Sequence, residues 1–321
     1  MKNHPLISII ILNWNGKDHL EECLASLQKT TCPNLEIIVV DNASTDQSEE
    51  ITHKFNNTIL IKNRQNVGYA AGCNTGFKLA KGKYLISLNN DIVVSNTWLD
   101  EPVAILENDD RVGIISCCQM QYFEKDKIDG LFHQFNLDLS VTQYGYNKYP
   151  DKVNSKKGYI LSANGGSAIF RKSMIDEIGG FDERFFGYYE DADLCLRAFA
   201  HGWKCVYSPS AIVFHKGSES FNKTGITKMF LRERNRILFL YKNIPADLIV
   251  TRLPFLLLFE LRVIRIFLLK LKEPKKYLKA RTEDIKSLPL YRSIRKENLK
   301  LIRKNRRLFN TLINKKIIHF D

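Results

Sequence analysis

The sequence predicts an α/β fold with a doubly wound, mainly parallel sheet. Short apolar runs alternate with stretches of helical periodicity through the N-terminal third of the chain, an order typical of parallel sheets. Polar residues follow these runs, and ligands of such sheets bind beyond the carboxyl ends of the strands. At 321 residues the chain is long enough to bury a large core.

Four apolar runs predict the first strands of the sheet. They are Leu6–Leu12, Leu35–Val40, Thr58–Ile61 and Tyr84–Leu88. Apolar residues at helical spacing predict helices at Asp18–Lys29, from near Asp46, and from a glycine-rich loop to about Ala80. Ser44 or Thr45 is expected to cap the second helix, because a hydroxyl can satisfy a free N–H group at a helix start.

The pattern is less regular after Asp91. The expected elements are a helix at Trp98–Leu106, a strand at Val112–Ser116, a strand at Ile160–Phe170 broken by Asn164-Gly165-Gly166, helices at Lys172–Ile178 and Asp191–His201, and strands at Lys204–Tyr207 and Ala211–Phe214. Residues 121–157 are polar and aromatic without a clear period, so we expect hairpins or a mobile lid there.

The charge divides the chain into two parts near Phe221. Residues 1–221 carry 22 Lys and Arg against 27 Asp and Glu, a net charge of −5, whereas residues 222–321 carry 26 against 8, a net charge of +18. We therefore expect an enzyme-like domain at 1–221 and a basic, mostly helical region at 222–321. Such a region indicates a polyanionic partner, either a membrane surface or nucleic acid.

Cysteine usage and terminal sequence favour a cytoplasmic protein. The seven cysteines include no CxxC pair, so we expect reduced, mostly buried thiols rather than disulfides or a zinc site. The N-terminus lacks the pattern of a signal peptide. No uncharged apolar stretch of about 18 residues is present to form a transmembrane helix.

Two polar segments that follow strands are candidates for nucleotide binding. Asp41 and Ser44 follow the second strand, where a carboxylate can accept hydrogen bonds from a ribose or base. A turn with a helix cap explains the same residues. The loop from Arg64 to Gly76 has glycines that permit close backbone approach to a nucleotide, although helix packing against the sheet explains them equally well.

Carboxylates and one histidine are candidates for the chemistry. Asp91 follows the fourth strand and can bind Mg²⁺ or Mn²⁺, with His215 as a nitrogen ligand or phosphate contact, although a turn and an ordinary hydrogen-bonded histidine are alternatives. Glu190, Asp191 and Asp193 begin a helix after the aromatic run at 185–189. Helix capping explains one acid, and an aromatic wall can raise the pKa of another toward that of a general base.

Four segments occur in a characteristic order: Ser8–Asn15, Val39–Asp46, Leu88–Asp91 and Gly179–Arg197. Together they resemble glycosyltransferase family 2, the inverting enzymes of the GT-A fold. The resemblance extends over about Leu6–Ser220 and is nearest to the branch that contains bacterial rhamnosyltransferases. It implies a Rossmann-like nucleotide-binding half and an acceptor half within one domain.

The resemblance also implies residue roles. Asp41 would contact the base or ribose of a sugar nucleotide, Asp91 would bind the metal with His215 nearby, and Asp191 would be the catalytic base beside Glu190. The other donor-binding residues would be Asn13, Ser44, Arg64, Asn66, Gly68, Asn74, Asn89 and Asn90, and the acceptor-binding residues Gly166, Tyr189 and Asp193. Asn89 stands where many members have the first Asp of a DxD motif, which leaves one carboxylate at the metal.

The activity implied is inverting transfer of a sugar from a UDP- or dTDP-sugar to a hydroxyl of a glycan or lipid-linked acceptor, in cell-surface polysaccharide synthesis. A divalent ion would stabilise the leaving diphosphate, and one positioned carboxylate would remove the acceptor proton. Three other interpretations stay open: a nucleotidyltransferase, a non-catalytic protein that binds sugar nucleotides or glycans, and, third, a nucleic-acid-binding protein, which steeply salt-dependent binding would support.

Residues 247–272 of the basic region combine apolar residues with scattered cations. Such a helix can lie in a membrane interface, attracted by anionic lipids, or pack on the enzyme with a solvated basic face, and the sequence leaves both open. No zinc finger or RNA-binding aromatic signature accompanies the basic stretch at 292–316, so no nucleic-acid partner is expected. We therefore expect a peripheral location at the inner face of the cell membrane.

Overall fold

The computed structural model describes residues 4–217 and 225–319. Within them lie thirteen strands: β1 Ile7–Asn13, β2 Leu35–Asp41, β3 Thr58–Lys62, β4 Tyr84–Asn89, β5 Ile92–Val94, β6 Val112–Gln121, β7 Ile128–Gly130, β8 His133–Phe135, β9 Val141–Gln143, β10 Gly158–Ile160, β11 Ser167–Arg171, β12 Lys204–His215 and β13 Ile317–His319.

The same residues form twelve α-helices: α1 Lys17–Leu27, α2 Ser48–His53, α3 Gly68–Leu79, α4 Asp100–Asn108, α5 Lys172–Ile178, α6 Glu190–Ala200, α7 Gly225–Asn243, α8 Ala246–Thr251, α9 Leu253–Arg265, α10 Pro274–Ser287, α11 Arg292–Lys304 and α12 Arg306–Lys315. A π-helix, Ile266–Lys270, continues α9. Short 3-10 helices occupy Pro150–Lys152, Glu183–Phe185 and Leu288–Tyr291. No helix in these ranges combines the length and the apolar character that crossing a bilayer requires.

Eleven of these strands form one mixed sheet with the order β13-β10-β12-β6-β11-β4-β1-β2-β3, to which β5 and β7 add at β12 and β6. Neighbours within β3-β2-β1-β4 are parallel, as are β6 and β12. β11 lies between β4 and β6 and is antiparallel to both. The predicted α/β fold is confirmed, and β11 joins its parallel half to the second half.

The sheet is covered on both faces because successive side chains of a strand point to opposite sides. Ile9 and Ile11 of β1 pack with α1, α2 and α4 on one face. Ile10, between them in sequence, packs with α3, α5 and α6 on the other face. All three isoleucines are completely buried. Continuous apolar strands are therefore required here, since each residue contributes to one of two cores.

The basic C-terminal region packs on α6 through a third core. This core joins Leu196 and Phe199 of α6 with Phe239 of α7, Ile302 of α11 and Phe309 of α12. β13 pairs antiparallel with β10, so the region also supplies an edge strand of the sheet. The predicted boundary at 221/222 lies outside the described residues. The described parts on either side of it share one core and one sheet.

Most predicted elements agree with the structure to within a few residues, but the predicted cap of α2 is wrong. Gln47 holds the N-cap position with a φ of 62°, and Ser44 Oγ instead accepts a hydrogen bond from Asn15 N at 2.9 Å. The two strands predicted at 204–207 and 211–214 form one irregular strand, β12. β5 and β13 were not predicted because three residues are too few to show a period.

A buried cluster of ion pairs fixes α6 to α7. Lys242 Nζ lies 2.7 Å from Asp182 Oδ2 and 2.8 Å from Asp193 Oδ1. Arg197 Nε lies 2.9 Å from the second oxygen of Asp193. Burial alone would raise the pKa of Asp193, but Lys242 and Arg197 lower it below its ordinary value. Removal of one partner would therefore leave buried charge without compensation.

We predict that Lys242→Met destabilises the protein by about 3 kcal/mol, because Asp182 and Asp193 lose their shared cation. Urea unfolding at neutral pH measures this change. Lys54→Met is the matched control, since Lys54 forms an exposed ion pair with Glu21 at 3.1 Å, worth less than about 1 kcal/mol. Equal effects of the two substitutions would contradict the prediction.

Candidate functional site

The carboxyl ends of β1 and β2 hold a buried polar network. Asn13 Nδ2 lies 3.2 Å from Asp41 Oδ1, 3.2 Å from Ser44 Oγ and 2.7 Å from Ser48 Oγ. Asp41 Oδ2 accepts a hydrogen bond from Ser44 N at 3.0 Å. Asn90, just past β4, donates through Nδ2 to Asn13 Oδ1 at 2.8 Å. The structure thus brings together four of the residues predicted to bind the donor.

The loop before α3 lies beside this network. Asn66 Oδ1 accepts hydrogen bonds from Asn42 Nδ2 at 3.1 Å and from Gly68 N at 2.9 Å. Gly68 has a φ of +85°, and a Cβ there would lie 2.5 Å from Phe186, so this position requires glycine. Arg64 is exposed near the start of the loop. Asn66 and Gly68 therefore shape the loop, whereas Arg64 presents a side chain to solvent.

Asn74 does not reach the strand ends. Its Nδ2 donates to Phe181 O at 2.9 Å and Glu183 Oε1 at 3.0 Å, and its Oδ1 accepts from Phe181 N at 2.9 Å. Both ends of the amide are used to fix α3 to the segment that precedes α6. The donor-binding role expected for Asn74 does not fit this geometry.

Asp91 and His215 meet at the ends of β4 and β12. His215 Nε2 lies 3.3 Å from Asp91 Oδ2, and His215 Nδ1 lies 2.8 Å from Asp129 Oδ2 on β7. Burial alone would lower the pKa of His215, but the two carboxylates raise it to about 10. Burial alone would raise the pKa of Asp91, and His215 lowers it below its ordinary value. Among the described residues, Asp91 Oδ1 is buried and has no hydrogen-bond partner.

Asn89 and Gly166 contact each other across β4 and the loop before β11. The Asn89 N–H donates to Gly166 O at 2.9 Å, and a Cβ on Gly166 would lie 3.0 Å from Asn89 Nδ2. Gly166 therefore provides close approach of the loop to the last residue of β4. This contact links the strand that leads to Asp91 with the loop that holds Asp191.

Asp191 is held at the start of α6 by Gly165 in that loop. Asp191 Oδ2 accepts a hydrogen bond from Gly165 N at 3.0 Å, and a Cβ on Gly165 would lie 2.7 Å from Asp191 Cβ. Gly165 O accepts from Ser87 Oγ at 2.6 Å and Tyr69 OH at 2.9 Å. His133 Nε2 lies 3.7 Å from the same Asp191 oxygen, and 15% of the Asp191 side chain is exposed. The carboxylate is thus contacted by the Gly165 loop and by His133 of β8 and is still accessible.

Glu190, the neighbour of Asp191, is in a different environment. Its side chain is buried, and burial together with Asp191 raises the pKa of Glu190 well above its ordinary value. Glu190 Oε2 has no hydrogen-bond partner among the described residues. Because Asp191 is partly exposed whereas Glu190 is buried away from an incoming acceptor, Asp191 fits the role of general base better than Glu190.

Two residues expected to bind the acceptor have other contacts. Tyr189 is buried, with its ring centroid 5.2 Å from that of Phe239 on α7. Asp193 is completely buried within the ion-pair cluster that includes Lys242. Direct acceptor binding by either side chain does not fit these positions. Of the residues predicted to bind the acceptor, Gly166 lies in the loop that holds Asp191.

The aromatic run before α6 has an unusual backbone. Phe186, Tyr188 and Tyr189 have φ values of 63°, 72° and 73°, a conformation that costs a bulky residue roughly 1 to 3 kcal/mol. Asn235 of α7 holds this turn, because its Nδ2 lies within 2.8 Å of the carbonyl oxygens of Phe185, Gly187 and Tyr188. The C-terminal region therefore helps to set where α6 begins.

Sequence reasoning missed Asp129 and His133. Both lie in the segment 121–157, where no motif or period marked them. Asp129 lies on β7 and orients His215, and His133 lies on β8 with Nδ1 3.2 Å from Ser162 Oγ. In the sequence, each of them is only a polar residue within a short apolar stretch, and this pattern is too weak to identify a functional residue.

The family to which the chain belongs follows from comparison with known proteins. The model of glycosyl transferase family 2 matches residues 8–179, more than half of the chain. The chain therefore belongs to glycosyl transferase family 2. An uncharacterized glycosyltransferase of Haemophilus influenzae is 32% identical over 116 residues, which cover 35% of this chain and 36% of that protein.

A longer match is an N-acetylglucosaminyl-diphospho-decaprenol L-rhamnosyltransferase of Mycobacterium tuberculosis. It is 24% identical over 261 residues, covering 73% of this chain and 84% of that protein. Other relatives are matched over less of their length, for example 59% of an uncharacterized glycosyltransferase of Rickettsia prowazekii at 29% identity.

Solved structures share the fold. The mannosyltransferase PcManGT of Pyrobaculum calidifontis, in complex with GDP-Man and Mn²⁺, has a TM-score of 0.59 and 16% identity, and the match covers 95% of this chain and 88% of that one. The S. aureus TarS 1–349 complex with UDP-GlcNAc has a TM-score of 0.58 and 16% identity, with 98% and 94% covered. The fold is GT-A.

We predict that His133 positions Asp191 for proton removal. His133→Phe should lower kcat about tenfold, because displacement of a catalytic group by a fraction of an ångström is costly. His133→Gln, which keeps an N–H donor, should recover much of this loss, and donor affinity should stay unchanged in both. His201→Phe is the control, since His201 faces Glu177 at 3.4 Å outside this network. Equal kcat values for the Phe and Gln variants would refute a positioning role.

Proposed function

We propose that this protein transfers a sugar, with inversion, from a nucleoside diphosphate sugar to a hydroxyl group of a glycan or lipid-linked acceptor. One observation carries the proposal. The loop that holds Asp191 is hydrogen-bonded to the end of β4 through Gly165 and Gly166, so a partly exposed carboxylate lies beside the strand that leads to Asp91. In this arrangement the base, Asp191, and the end of β4, where the diphosphate would bind, flank one loop. This arrangement suits a reaction in which the acceptor displaces the diphosphate in one step.

Asp191 acts as the general base in this proposal. The acceptor hydroxyl is a poor nucleophile, and Asp191 takes its proton as the oxygen attacks the anomeric carbon of the donor. The bond from that carbon to the diphosphate oxygen breaks at the same time, and the nucleoside diphosphate leaves. Gly165 N–H and His133 keep the Asp191 carboxylate in place. A single base without a nucleophilic second carboxylate favours inversion, since Glu190 is buried with a raised pKa.

The donor occupies the ends of β1, β2 and β4. Asp41, Asn13 and Ser44 form a preorganised polar surface for a base or ribose. Asn66 and Gly68 allow the neighbouring loop to approach the same ligand. We propose a UDP- or dTDP-sugar, and the sugar complexes GDP-Man and UDP-GlcNAc in the related folds support a nucleotide sugar in general.

The residues at Asp91 fit a divalent cation, Mg²⁺ or Mn²⁺. Asp91 Oδ1 has unused acceptor capacity, His215 Nε2 lies near the same carboxylate, and Asp129 on Nδ1 is the partner that orients a metal-binding imidazole. His215 would hold the cation through Nε2 in its neutral form, with Asp129 keeping the ring in place through Nδ1. The described residues contain no group of three or more acids, cysteines or histidines arranged to hold a metal, so oxygens of the donor diphosphate would complete the shell. A bound cation stabilises charge on the leaving diphosphate.

The acceptor and location are part of the same proposal. The rhamnosyltransferase relative is named for a lipid-linked diphosphate substrate, and the C-terminal region carries a net charge of +18. Both support a lipid-linked acceptor in cell-surface polysaccharide synthesis and a peripheral location at the inner face of the cell membrane.

Loss of the base is the direct test of the reaction. Asp191→Asn should lower nucleoside diphosphate release at least about 100-fold and leave donor affinity unchanged, because general base catalysis contributes about 10² to 10⁴ in rate. Turnover is measured with a panel of UDP-, dTDP- and GDP-sugars, and affinity by calorimetry. Near-wild-type turnover would reject Asp191 as the base, and release of pyrophosphate would indicate a nucleotidyltransferase instead.

A second test concerns the cation. Asp91→Ala should abolish the dependence of donor affinity on Mn²⁺, because Asp91 supplies the carboxylate at that strand end. Calorimetric titrations with and without Mn²⁺ measure the difference for wild type, Asp91→Ala and the control Asp126→Ala, an exposed acid before β7. Identical titrations of Asp91→Ala and wild type would argue against the metal assignment.

A further inference from the structure

α9 and the π-helix that continues it are attached to the rest of the protein by one side only. Val263 and Phe267 are buried, and Glu260 lies 2.8 Å from Arg281 Nε and accepts a hydrogen bond from Tyr277 OH at 2.5 Å. Arg236 of α7 stacks on the Phe259 ring at 4.0 Å. Residues at this spacing share one helix face. The packed side is therefore well defined and fixes how the helix is rotated.

The opposite side of α9 and of the π-helix is both apolar and exposed. Leu257, Leu258, Leu261 and Leu269 are 57%, 65%, 62% and 66% exposed. Arg262 and Arg265 lie among them and are also exposed. We refer to these six residues as the α9 face. A contiguous group of exposed leucines indicates an interaction surface, because exposing so much apolar surface to water is unfavourable.

We propose that the α9 face inserts into the interface of an anionic lipid bilayer. The leucines would insert at the boundary between the lipid headgroups and the acyl chains. The arginine side chains would extend to the lipid phosphates, which lie at about the depth of the helix axis. Residues 222–321 carry 26 Lys and Arg against 8 Asp and Glu, which complements an anionic surface. A second copy of the chain would bring the same positive charge against this face, so charge favours the bilayer over a homodimer.

The position of the α9 face relative to Asp191 suggests how a lipid-linked acceptor reaches the base, an inference that rests on the proposed function. A groove of about 470 Å³ opens beside the α9 face, lined by Asn136, Leu137, Asp138, Phe255, Leu258, Phe259 and Arg262. Asn136 to Asp138 form the turn between β8 and β9, and β8 begins at His133 beside Asp191. Four extended residues span about 13 Å. The hairpin therefore links the bilayer side to the base, which suits an acceptor whose sugar reaches Asp191 while its lipid remains in the membrane.

Vesicle binding by the full-length chain tests the proposal. Sucrose-loaded vesicles of phosphatidylcholine and phosphatidylglycerol in equal parts are compared with phosphatidylcholine alone. Wild type should sediment with the anionic vesicles, and Leu258→Gln/Leu261→Gln should weaken binding at least about tenfold. The matched control is Ile59→Gln/Leu79→Gln, two exposed apolar residues on β3 and α3, which should bind like wild type. Equal binding by both double variants overturns the proposal.

The contribution of the cations is measured separately. Arg262→Gln/Arg265→Gln should lower affinity for anionic vesicles roughly fivefold per charge removed and leave the weak binding to phosphatidylcholine unchanged. Sedimentation velocity without vesicles examines the homodimer. A wild-type dimer that becomes monomeric in Leu258→Gln/Leu261→Gln would show that the α9 face joins two copies, and would overturn the proposal.

Orientation is read with an environment-sensitive label. The seven native cysteines are buried, so a single introduced surface cysteine can be labelled in the folded protein. Label at Leu261→Cys and at Leu137→Cys in the hairpin turn should shift to shorter emission wavelength on anionic vesicles, and label at Leu79→Cys should not. A shift at Leu79 alone would contradict the orientation. Donor turnover is measured on the same variants without vesicles, so failure of membrane binding and failure of the glycosyl-transfer proposal are distinguished.

Discussion

The position of the candidate base depends on one constrained turn. Phe186, Tyr188 and Tyr189 occupy a backbone conformation that bulky residues avoid, and α6 starts directly after them. The turn is held from both sides, since Phe186 O accepts hydrogen bonds from the first N–H groups of α3 and Asn235 of α7 contacts three carbonyl oxygens. Asp191 is therefore placed jointly by the nucleotide-binding half and by the C-terminal region. The basic region is a structural part of the site as well as a charged surface.

Much of the fold was predictable because its central strands are buried on both faces. β1 and β2 are mostly apolar, with unbroken apolar stretches at residues 9–12 and 37–40, and helical spacing in α1 and α3 is equally clear. What could not be predicted depends on pairing between distant segments. The three residues of β13 carry no period and become a strand only because β10 offers an unpaired edge. Ser44 looked like a helix cap, but its hydroxyl is used by the neighbouring strand end, as tertiary contacts override local preference.

The site was predictable to the extent that its residues follow strands. Asn13 lies within hydrogen-bond distance of Asp41 and Asn90, the residue before Asp91, because parallel strands end at one edge of the sheet. The resemblance assigned Asn74 and Asp193 to ligand binding, yet both side chains point into the protein, where they contact Phe181 and Lys242. Asp129 and His133 were missed because an irregular segment carries them to His215 and Asp191. A polar side chain whose role is to orient another residue gives no recognisable pattern in a single sequence.

The pairing of β13 with β10 has a consequence for the order in which the protein folds. Gly158 pairs with His319, about 160 residues later, so closing this contact is entropically costly and comes late. Until then β10 has an open edge, and the leucines of α9 are already synthesised and exposed. During synthesis the chain therefore passes through a stage in which an unpaired strand edge and an apolar helix face are both exposed. Nascent chains in this condition tend to aggregate or to require chaperones.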